Sequence, residues 1–362
     1  MAQRRHPAGA GQRSGAARCQ RPREDVNGVS AVSQTPVRVA LLGAGTVGAA
    51  VARRLADRAE VFARRVGAPL ELTGIAVRDL GRPRDLTGVL PGLLTDDPGA
   101  LVDEVDIVVE VMGGIQPARG LIERALRAGA DVVTANKQLL AQHGVELEAL
   151  AGREGHGLEY EAAVVAAVPI MRTVRDALAG DEIRSIRGIV NGSTNYILDM
   201  VARQGVPFQD AVTQAGDLGY LEADPTEDLE GLDAAAKIVL LARAAWGGEV
   251  GMSDVQREGI SGLTDADFEN ARGTGQVIKL IASAWRSGAP GAPRIEVAVR
   301  PTLVAADHPF AQTREGTNMV IIEADSAGSL RLSGAGAGGD ETASAVLGDL
   351  INLARARVAA RD

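Results

Sequence analysis

Cysteine, aromatic residues and lysine are scarce in this chain of 362 residues. The single cysteine, Cys19, excludes an internal disulfide framework and fits a reducing compartment, so we expect a cytoplasmic protein. Aromatic residues make up only 2% of the chain, so a core must be built from Val, Leu, Ile and Ala. No window approaches the roughly eighteen uninterrupted apolar residues of a membrane-spanning helix, and we expect no membrane association.

Basic residues are outnumbered, which leaves a net charge of −9. This charge argues against nucleic acid as a partner of the folded body. Residues 1–36 are rich in Arg, Ala, Gly, Ser and Gln without apolar periodicity, which predicts a disordered tail. Its arginines would also suit a nucleic-acid-binding arm or a transit peptide. A solvated tail, or a start codon assigned too far upstream, is the interpretation that we favour.

Lysine is nearly absent among the cationic residues. Of the 38 Lys and Arg residues, three are lysine: Lys137, Lys237 and Lys279. Burial can lower the pKa of a lysine amine, whereas arginine stays protonated, so lysines retained in an arginine-rich chain are candidate proton carriers. Lys237 follows Asp233 by four residues on a predicted helix, which places both side chains on one face. The alternative interpretation is an ordinary exposed ion pair.

A glycine-rich turn follows the first apolar segment. Residues 37–42 predict a buried strand, and residues 43–48 read Gly-Ala-Gly-Thr-Val-Gly before a helix predicted to run to about residue 65. Gly43 permits the tight turn, Gly45 lets the backbone approach a pyrophosphate, and Gly48 lets helix pack on strand. The helix N-terminus then faces the phosphates. This context predicts a dinucleotide site.

The end of the second predicted strand, residues 70–77, bears on the choice of dinucleotide. Arg78 stands where a cation can accept the 2′-phosphate of NADP, and Asp79 stands where an acid can hold the 2′-hydroxyl of NAD. Arg78 comes first, so NADP is favoured and NAD remains the alternative. A solvated basic loop is the third interpretation.

Strands and helices alternate along the first half of the chain, which predicts a parallel sheet. Residues 106–112 form a strand that opens into Gly113-Gly114, and a helix over 118–128 leads to a strand over 131–134. Lys137 follows that strand, at the edge of the sheet where ligands bind. A helix over 137–153 and a strand over 158–163 complete this part.

The second half predicts an open mixed sheet with long helices. Strands are expected over 183–190, 276–285, 294–304, 318–324 and 329–333, and helices over 194–204, 207–217 and 228–246. The fold class is therefore α/β. Residues 37–167 are expected to form a Rossmann-type dinucleotide-binding domain, which the C-terminal helix 340–358 joins. Residues 168–339 are expected to form an α+β domain for substrate binding, catalysis and dimerisation.

Several segments together resemble the homoserine dehydrogenase family, in order over about residues 37–358. They are residues 43–48, 108–114, 134–137, 160–164, 188–196, 219–237 and 336–346. The resemblance implies oxidation of L-homoserine to L-aspartate 4-semialdehyde with NAD(P)+, or the reverse. It also implies a homodimer and a place in threonine, methionine and isoleucine biosynthesis.

The resemblance assigns roles to individual residues of this chain. Lys237 is the proton donor and acceptor at the reacting oxygen, Lys137 lies beside cofactor and substrate, and Glu222 holds the substrate ammonium. Further substrate contacts are Asp228, Asp233, Gly192, Ser193 and Tyr220. The implied cofactor contacts are Gly43, Gly45, Thr46, Val47, Gly48, Arg78, Gly113, Lys137 and Gly339.

Two departures from the family pattern have consequences. A sodium ion would bind through Glu161, Val164, Ala166 and Val168, but Ala166-Ala167 stands where the family often has two glycines. Backbone ligands survive this change only where φ is negative. Relatives often continue into an ACT-type regulatory domain, and we expect none here.

Two other functions also fit parts of the sequence. One is an enzyme acting on another small amino acid or semialdehyde, and the other is a dinucleotide sensor without turnover. A sensor has no use for Lys137, Lys237 and Glu222 together, so their joint presence favours the dehydrogenase.

Overall fold

The computed structural model describes residues 35–288 and 294–361. The predicted tail, apart from Thr35 and Pro36, lies outside the described residues. Within the described ranges, no helix has both the length and the apolar character needed to cross a bilayer.

The first part of the chain forms a parallel six-stranded sheet flanked by helices. Its elements are β1 Val37–Leu42, α1 Thr46–Asp57, α2 Ala59–Val66, β2 Leu70–Ala76, β3 Leu94–Thr95, α3 Pro98–Val102, β4 Ile107–Glu110, α4 Ala118–Ala128, β5 Asp131–Thr134, α5 Lys137–Glu154 and β6 Leu158–Glu159. The strand order is β3-β2-β1-β4-β5-β6, with every pairing parallel. This is the doubly wound dinucleotide-binding order, and the predicted Rossmann-type sheet is confirmed.

The second part builds a mixed sheet around a buried helix. Its elements are α6 Ala162–Val165, α7 Ile170–Arg172, β7 Ile183–Ile189, α8 Gly192–Gln204, α9 Phe208–Asp217, α10 Thr226–Leu229, α11 Leu232–Trp246, β8 Val255–Arg257, α12 Asp265–Gly273, β9 Gln276–Ser287, β10 Arg294–Ala305, α13 Pro309–Gln312, β11 Thr317–Ala324, β12 Gly328–Ala335 and α14 Gly339–Ala359. The order is β12-β11-β7-β9-β10-β8, antiparallel except for β8 on β10. The predicted mixed sheet is confirmed.

Three predicted elements were wrong in their bounds. The helix expected to run to about residue 65 is interrupted at Arg58, and the strand expected over 158–163 ends at Glu159. The run 162–165 forms α6 instead, because a short apolar run fits a strand or a buried helix equally well. The helix expected over 228–246 is divided by Gly231, whose φ is +72°.

The C-terminal helix α14 returns to the first sheet. Ala343, Val346 and Leu350 on α14 are fully buried in the same apolar cluster as Val39 and Ile107 of β1 and β4. The N-terminus of α14 therefore comes to the edge of the sheet where β1 ends. The domain boundary between residues 167 and 168 stays a prediction.

Candidate active site

A cleft of about 950 Å³ opens at the carboxyl end of the parallel sheet. Its walls come from Val47 in the first turn of α1, the ends of β4 and β5, the starts of α8 and α11, loop 219–220 and the segments 315–317 and 334–338. Ligands of doubly wound proteins bind at this edge, where the strand order reverses between β1 and β4. The cleft is therefore the candidate site.

Two of the three lysines meet one carboxylate in this cleft. Asp233 lies in the first turn of α11, with its Oδ2 2.8 Å from Lys237 Nζ and its Oδ1 3.0 Å from Lys137 Nζ. Asp233 and Lys237 are both buried, so the interpretation as an ordinary exposed ion pair was wrong. Lys137 begins α5 directly after β5, and its side chain is 34% exposed.

The charges of Lys137, Asp233 and Lys237, which we call the trio, shift the pKa values of its members. Burial alone would raise the pKa of Asp233, but the ammonium groups of Lys237 and Lys137 hold that pKa well below its usual range. The negative charge of Asp233 in turn raises the pKa of Lys137. Lys237 also donates to the main-chain oxygen of Val190 at 2.8 Å. A lysine ammonium has three N–H bonds, so one of them stays available to a ligand in the cleft.

Asn191 connects the acids of the cleft to α8. Its Oδ1 accepts from the Thr194 N–H at 2.8 Å and caps the helix, while its Nδ2 donates to Asp228 at 2.6 Å and to Asp233 at 2.9 Å. Burial raises the pKa of Asp228. Predicted residues Gly192 and Ser193 follow Asn191 and line the cleft, and Ser193 Oγ donates to the Tyr220 main-chain oxygen.

The turn after β1 fits a dinucleotide phosphate. Gly43 has a φ of +104°, and a Cβ on Gly48 would fall 2.0 Å from the Gly43 oxygen, so neither position tolerates a side chain. Gly45 is the N-cap of α1, without a side chain that caps the helix, and the space beside it is open. The N–H groups in the first turn of α1 can therefore bind an anion.

The second glycine-rich segment reaches the same place. A Cβ on Gly339 would fall 2.7 Å from Cγ2 of Thr46, so the first residues of α14 and α1 touch. Val47 and Gly113 line the cleft, as does Gly338 next to Gly339. The predicted cofactor residues of the two segments therefore converge, although Gly43, Gly45, Thr46, Gly48 and Gly339 lie beside the cleft wall rather than on it.

Two predicted residues lie away from the cleft wall. Arg78 is exposed after β2, and Glu222 is exposed on the loop before α10. Tyr220, two residues before Glu222, does line the cleft and stacks on Tyr196 with ring centroids 4.2 Å apart.

The residues predicted for sodium form one turn after β6. Glu161 is buried, and its carboxylate already accepts from the N–H groups of Met171 and Arg172 and from Arg172 Nε. Val164 and Ala166 line the cleft, and Ala166 has a φ of +32°. Only main-chain oxygens of this turn are therefore suited to a cation, and the alanine is held in a conformation that favours glycine.

Sequence reasoning missed three groups of the site. The Asn191 side chain bonds to Asp233, Val190 contributes a main-chain oxygen, and Glu315 comes from a loop far beyond Lys237 in the sequence. The cap signal at Asn191, next to the predicted Gly192, was available in the sequence. The sequence carries no signal for the other two.

A turn suited to a phosphate lies where the strand order reverses, beside a buried Asp233–Lys237 pair and the half-buried Lys137. This arrangement defines a nicotinamide dinucleotide-dependent α/β oxidoreductase. Comparison with known proteins narrows this class. The sequence model described as "Homoserine dehydrogenase" matches residues 169–351, and that of the homoserine dehydrogenase NAD binding domain matches residues 43–161.

Homoserine dehydrogenases from other organisms align with most of this chain. The homoserine dehydrogenase of Corynebacterium glutamicum is 47% identical over 325 residues, which cover 89% of this chain and 73% of that protein. The crystal structure of a homoserine dehydrogenase from Thiobacillus denitrificans is 40% identical with a TM-score of 0.85, covering 90% of this chain and 75% of that one. A hyperthermophilic archaeal homoserine dehydrogenase in complex with NADPH is 29% identical, with a TM-score of 0.73 over 88% of this chain and 98% of that one.

The chain belongs to the homoserine dehydrogenase family. It is an oxidoreductase that interconverts L-homoserine and L-aspartate 4-semialdehyde with a nicotinamide dinucleotide. The predicted activity is confirmed, and the sensor interpretation was wrong.

Proposed function

We propose that Lys237 carries the proton to and from the reacting oxygen of homoserine, with NADP as the preferred dinucleotide. The observation that supports this role is the buried Asp233–Lys237 pair, whose lysine also donates to the Val190 oxygen. These two acceptors fix the direction of Nζ, so its remaining N–H is oriented into the cleft.

The bound dinucleotide supplies the hydride acceptor for oxidation and the hydride donor for reduction. In reduction, Lys237 gives a proton to the oxygen that gains negative charge, and in oxidation its amine takes the hydroxyl proton. Asp233 stabilises the ammonium at Lys237 in either direction. Lys137, whose pKa is raised by Asp233, stays an ammonium and stabilises negative charge without passing on a proton.

The zwitterionic substrate needs partners for both of its charged groups. We propose that Glu222 holds the substrate ammonium, with Asp228, Gly192, Ser193 and Tyr220 lining its pocket. Support comes from Tyr220, which places the Glu222 loop next to the cleft. Because Glu222 itself is exposed, this role requires its loop to fold inward over the substrate.

For the dinucleotide, Arg78 supports NADP, since it is exposed after β2 and no described acidic side chain pairs with it. The Asp79 carboxylate accepts from the Gly81 N–H at 2.8 Å, which leaves it less suited to a ribose hydroxyl. The archaeal relative in complex with NADPH agrees with this preference. NAD remains the alternative dinucleotide.

A homodimer and a cytoplasmic location complete the proposal. The sodium ion expected at Glu161, Val164, Ala166 and Val168 is left out of it, because the positive φ of Ala166 argues against that site. The dimer would form through the mixed sheet, on which Leu303 of β10 is 54% exposed. The single cysteine agrees with a reducing cytoplasm.

One assay tests the core of this proposal. Purified protein is given L-homoserine with NADP+ or with NAD+, and the reduced dinucleotide is measured at 340 nm. We expect a higher kcat/KM with NADP+. A higher kcat/KM with NAD+ would contradict the preference assigned to Arg78, and light scattering of the same sample tests the dimer.

A further inference from the structure

Three carboxylates line the cleft, and they differ in their partners. Asp233 is paired with Lys237 and Lys137, and Asp228 accepts from Asn191. The carboxylate of Glu315 receives no hydrogen bond and forms no ion pair within residues 35–288 and 294–361. It is the cleft acid that has no partner in the described protein.

The backbone at Glu315 is held in an unusual conformation. Its φ is +51°, in the left-handed region that residues with a Cβ rarely adopt. Both of its main-chain groups are bonded to α8: its N–H donates to Asp199 Oδ2 at 3.2 Å, and its oxygen accepts from Asn195 Nδ2 at 2.8 Å. Strain of this kind persists only where its surroundings impose it, and it is concentrated at functional sites.

A buried lysine anchors the same loop. Lys279 of β9 is 1% exposed, and its Nζ donates to Asn195 Oδ1 at 2.8 Å and to the Thr313 oxygen at 2.9 Å. Arg314 pairs with Asp199 at 3.0 Å. The third lysine of the chain therefore fixes the segment that carries Glu315, and it does not line the cleft.

The neighbours of the loop place Glu315 beside the substrate loops. A Cβ on Gly192 would fall 2.7 Å from the Gly316 oxygen, and a Cβ on Gly316 would fall 2.8 Å from Cε1 of Tyr220. Glu315 thus adjoins both the turn at Gly192 and the ring of Tyr220. Glu315 is exposed and lines the cleft, so its carboxylate is open to an amino-acid ligand there.

We propose that Glu315 binds the ammonium group of the amino-acid substrate and so contributes to substrate specificity. The inference rests on homoserine being the substrate, and it adds to the role proposed for Glu222. A free carboxylate is the natural partner of a substrate ammonium, since the charge-assisted hydrogen bond is stronger than a neutral one. The left-handed backbone is then retained because it directs this side chain.

Two variants distinguish the role of the Glu315 carboxylate from that of its backbone conformation. Glu315→Gln removes the charge and keeps the shape, while Glu315→Gly removes the carboxylate and suits the positive φ. Glu269→Gln, at an exposed position on α12 outside the cleft, is the matched control. We expect both Glu315 variants to raise the KM for homoserine about tenfold, as for a lost charged hydrogen bond, with the KM for NADP+ unchanged.

A binding measurement without turnover tests the role of Glu315 independently of the dehydrogenase activity. The Kd of homoserine is measured by calorimetry with NADPH bound, since this form cannot accept a hydride. We expect the same tenfold weakening in both variants, and a Kd that rises with salt in the wild type but less in Glu315→Gln. A Kd within about twofold of wild type in either Glu315 variant would overturn the proposal. Absence of turnover in the wild type would instead contradict the family activity.

Discussion

The carboxylate of Asp233 lies 2.8 Å from the ammonium of Lys237, one turn along α11, and both side chains are buried. An exposed pair at this spacing stabilises a helix by only about 0.2–0.5 kcal/mol. A buried pair loses much more when one partner is removed, because the other charge is left uncompensated. The pair therefore holds Lys237, the proposed proton carrier, in one orientation.

Replacing Lys237 by Arg tests the proton-carrying role. The guanidinium keeps a positive charge beside Asp233, but it does not release a proton at any ordinary pH. We expect kcat to fall by roughly 10²–10⁴-fold with NADP+ binding retained. Steady-state rates and a fluorescence titration of NADPH measure the two effects. A kcat close to that of the wild type would show that another group carries the proton.

Asp233→Asn removes the charge shared by the two cleft lysines. Two ammonium groups would then face each other without a carboxylate between them, so we expect loss of activity together with a destabilisation of about 3–5 kcal/mol. Chemical denaturation measures the free energy of unfolding. The role assigned to Asp233 is wrong if the variant keeps both its stability and its kcat.

Glu222→Gln tests the exposed acid of the substrate loop. Only the substrate ammonium would lose a charged partner, so the KM for homoserine should rise far more than the KM for NADP+. Combined with Glu315→Gln, the two effects should be non-additive if both carboxylates contact one ammonium. Equal increases in both KM values would assign Glu222 a structural role.

Local patterns in the sequence were sufficient to predict the glycine-rich turn of the dinucleotide-binding domain and the contact between Asp233 and Lys237. The turn at residues 43–48 depends on neighbours in sequence, and the Asp233–Lys237 contact depends on a spacing of four. Lys137 was placed by topology, because it follows a parallel strand at the edge where ligands bind.

Contacts between distant segments were not predictable in the same way. Asn195 and Glu315 lie 120 positions apart, and their hydrogen bond depends on how β11 returns beside α8. The positive φ of Glu315 has no local signal either, since glycine is the residue that favours that region. The break at Gly231 was missed because the residues on both sides of it favour a helix.

Arg78→Ala tests the choice of dinucleotide. Only NADP carries the additional phosphate, so its binding should weaken more than that of NAD. Arg64→Ala, on the exposed face of α2, is the control for loss of a surface charge. Dissociation constants for NADPH and NADH, measured by fluorescence, provide the comparison. Equal losses for both would leave Arg78 as part of a solvated loop.

Asp349→Asn tests a buried acid that joins α14 to the turn after β6. Asp349 Oδ2 accepts from the Glu161 N–H at 2.8 Å. Its Oδ1 has no hydrogen-bond partner in the described protein and lies 3.6 Å from Arg172 Nη2. Burial raises the pKa of Asp349 to about 7, whereas an unfolded chain gives about 3.9. The folded protein therefore binds one more proton than the unfolded chain between these values.

This difference fixes the sign of the pH dependence. The contribution of Asp349 to stability is fully present below about pH 4 and is lost as the pH rises to about 7, by up to about 4 kcal/mol. Asparagine can still accept the Glu161 N–H but does not titrate, so the variant should gain stability relative to wild type between pH 4.5 and pH 8. Asp210→Asn, at an exposed position on α9, is the control. Thermal unfolding at several pH values measures the effect, and a constant difference between Asp349→Asn and wild type would contradict it.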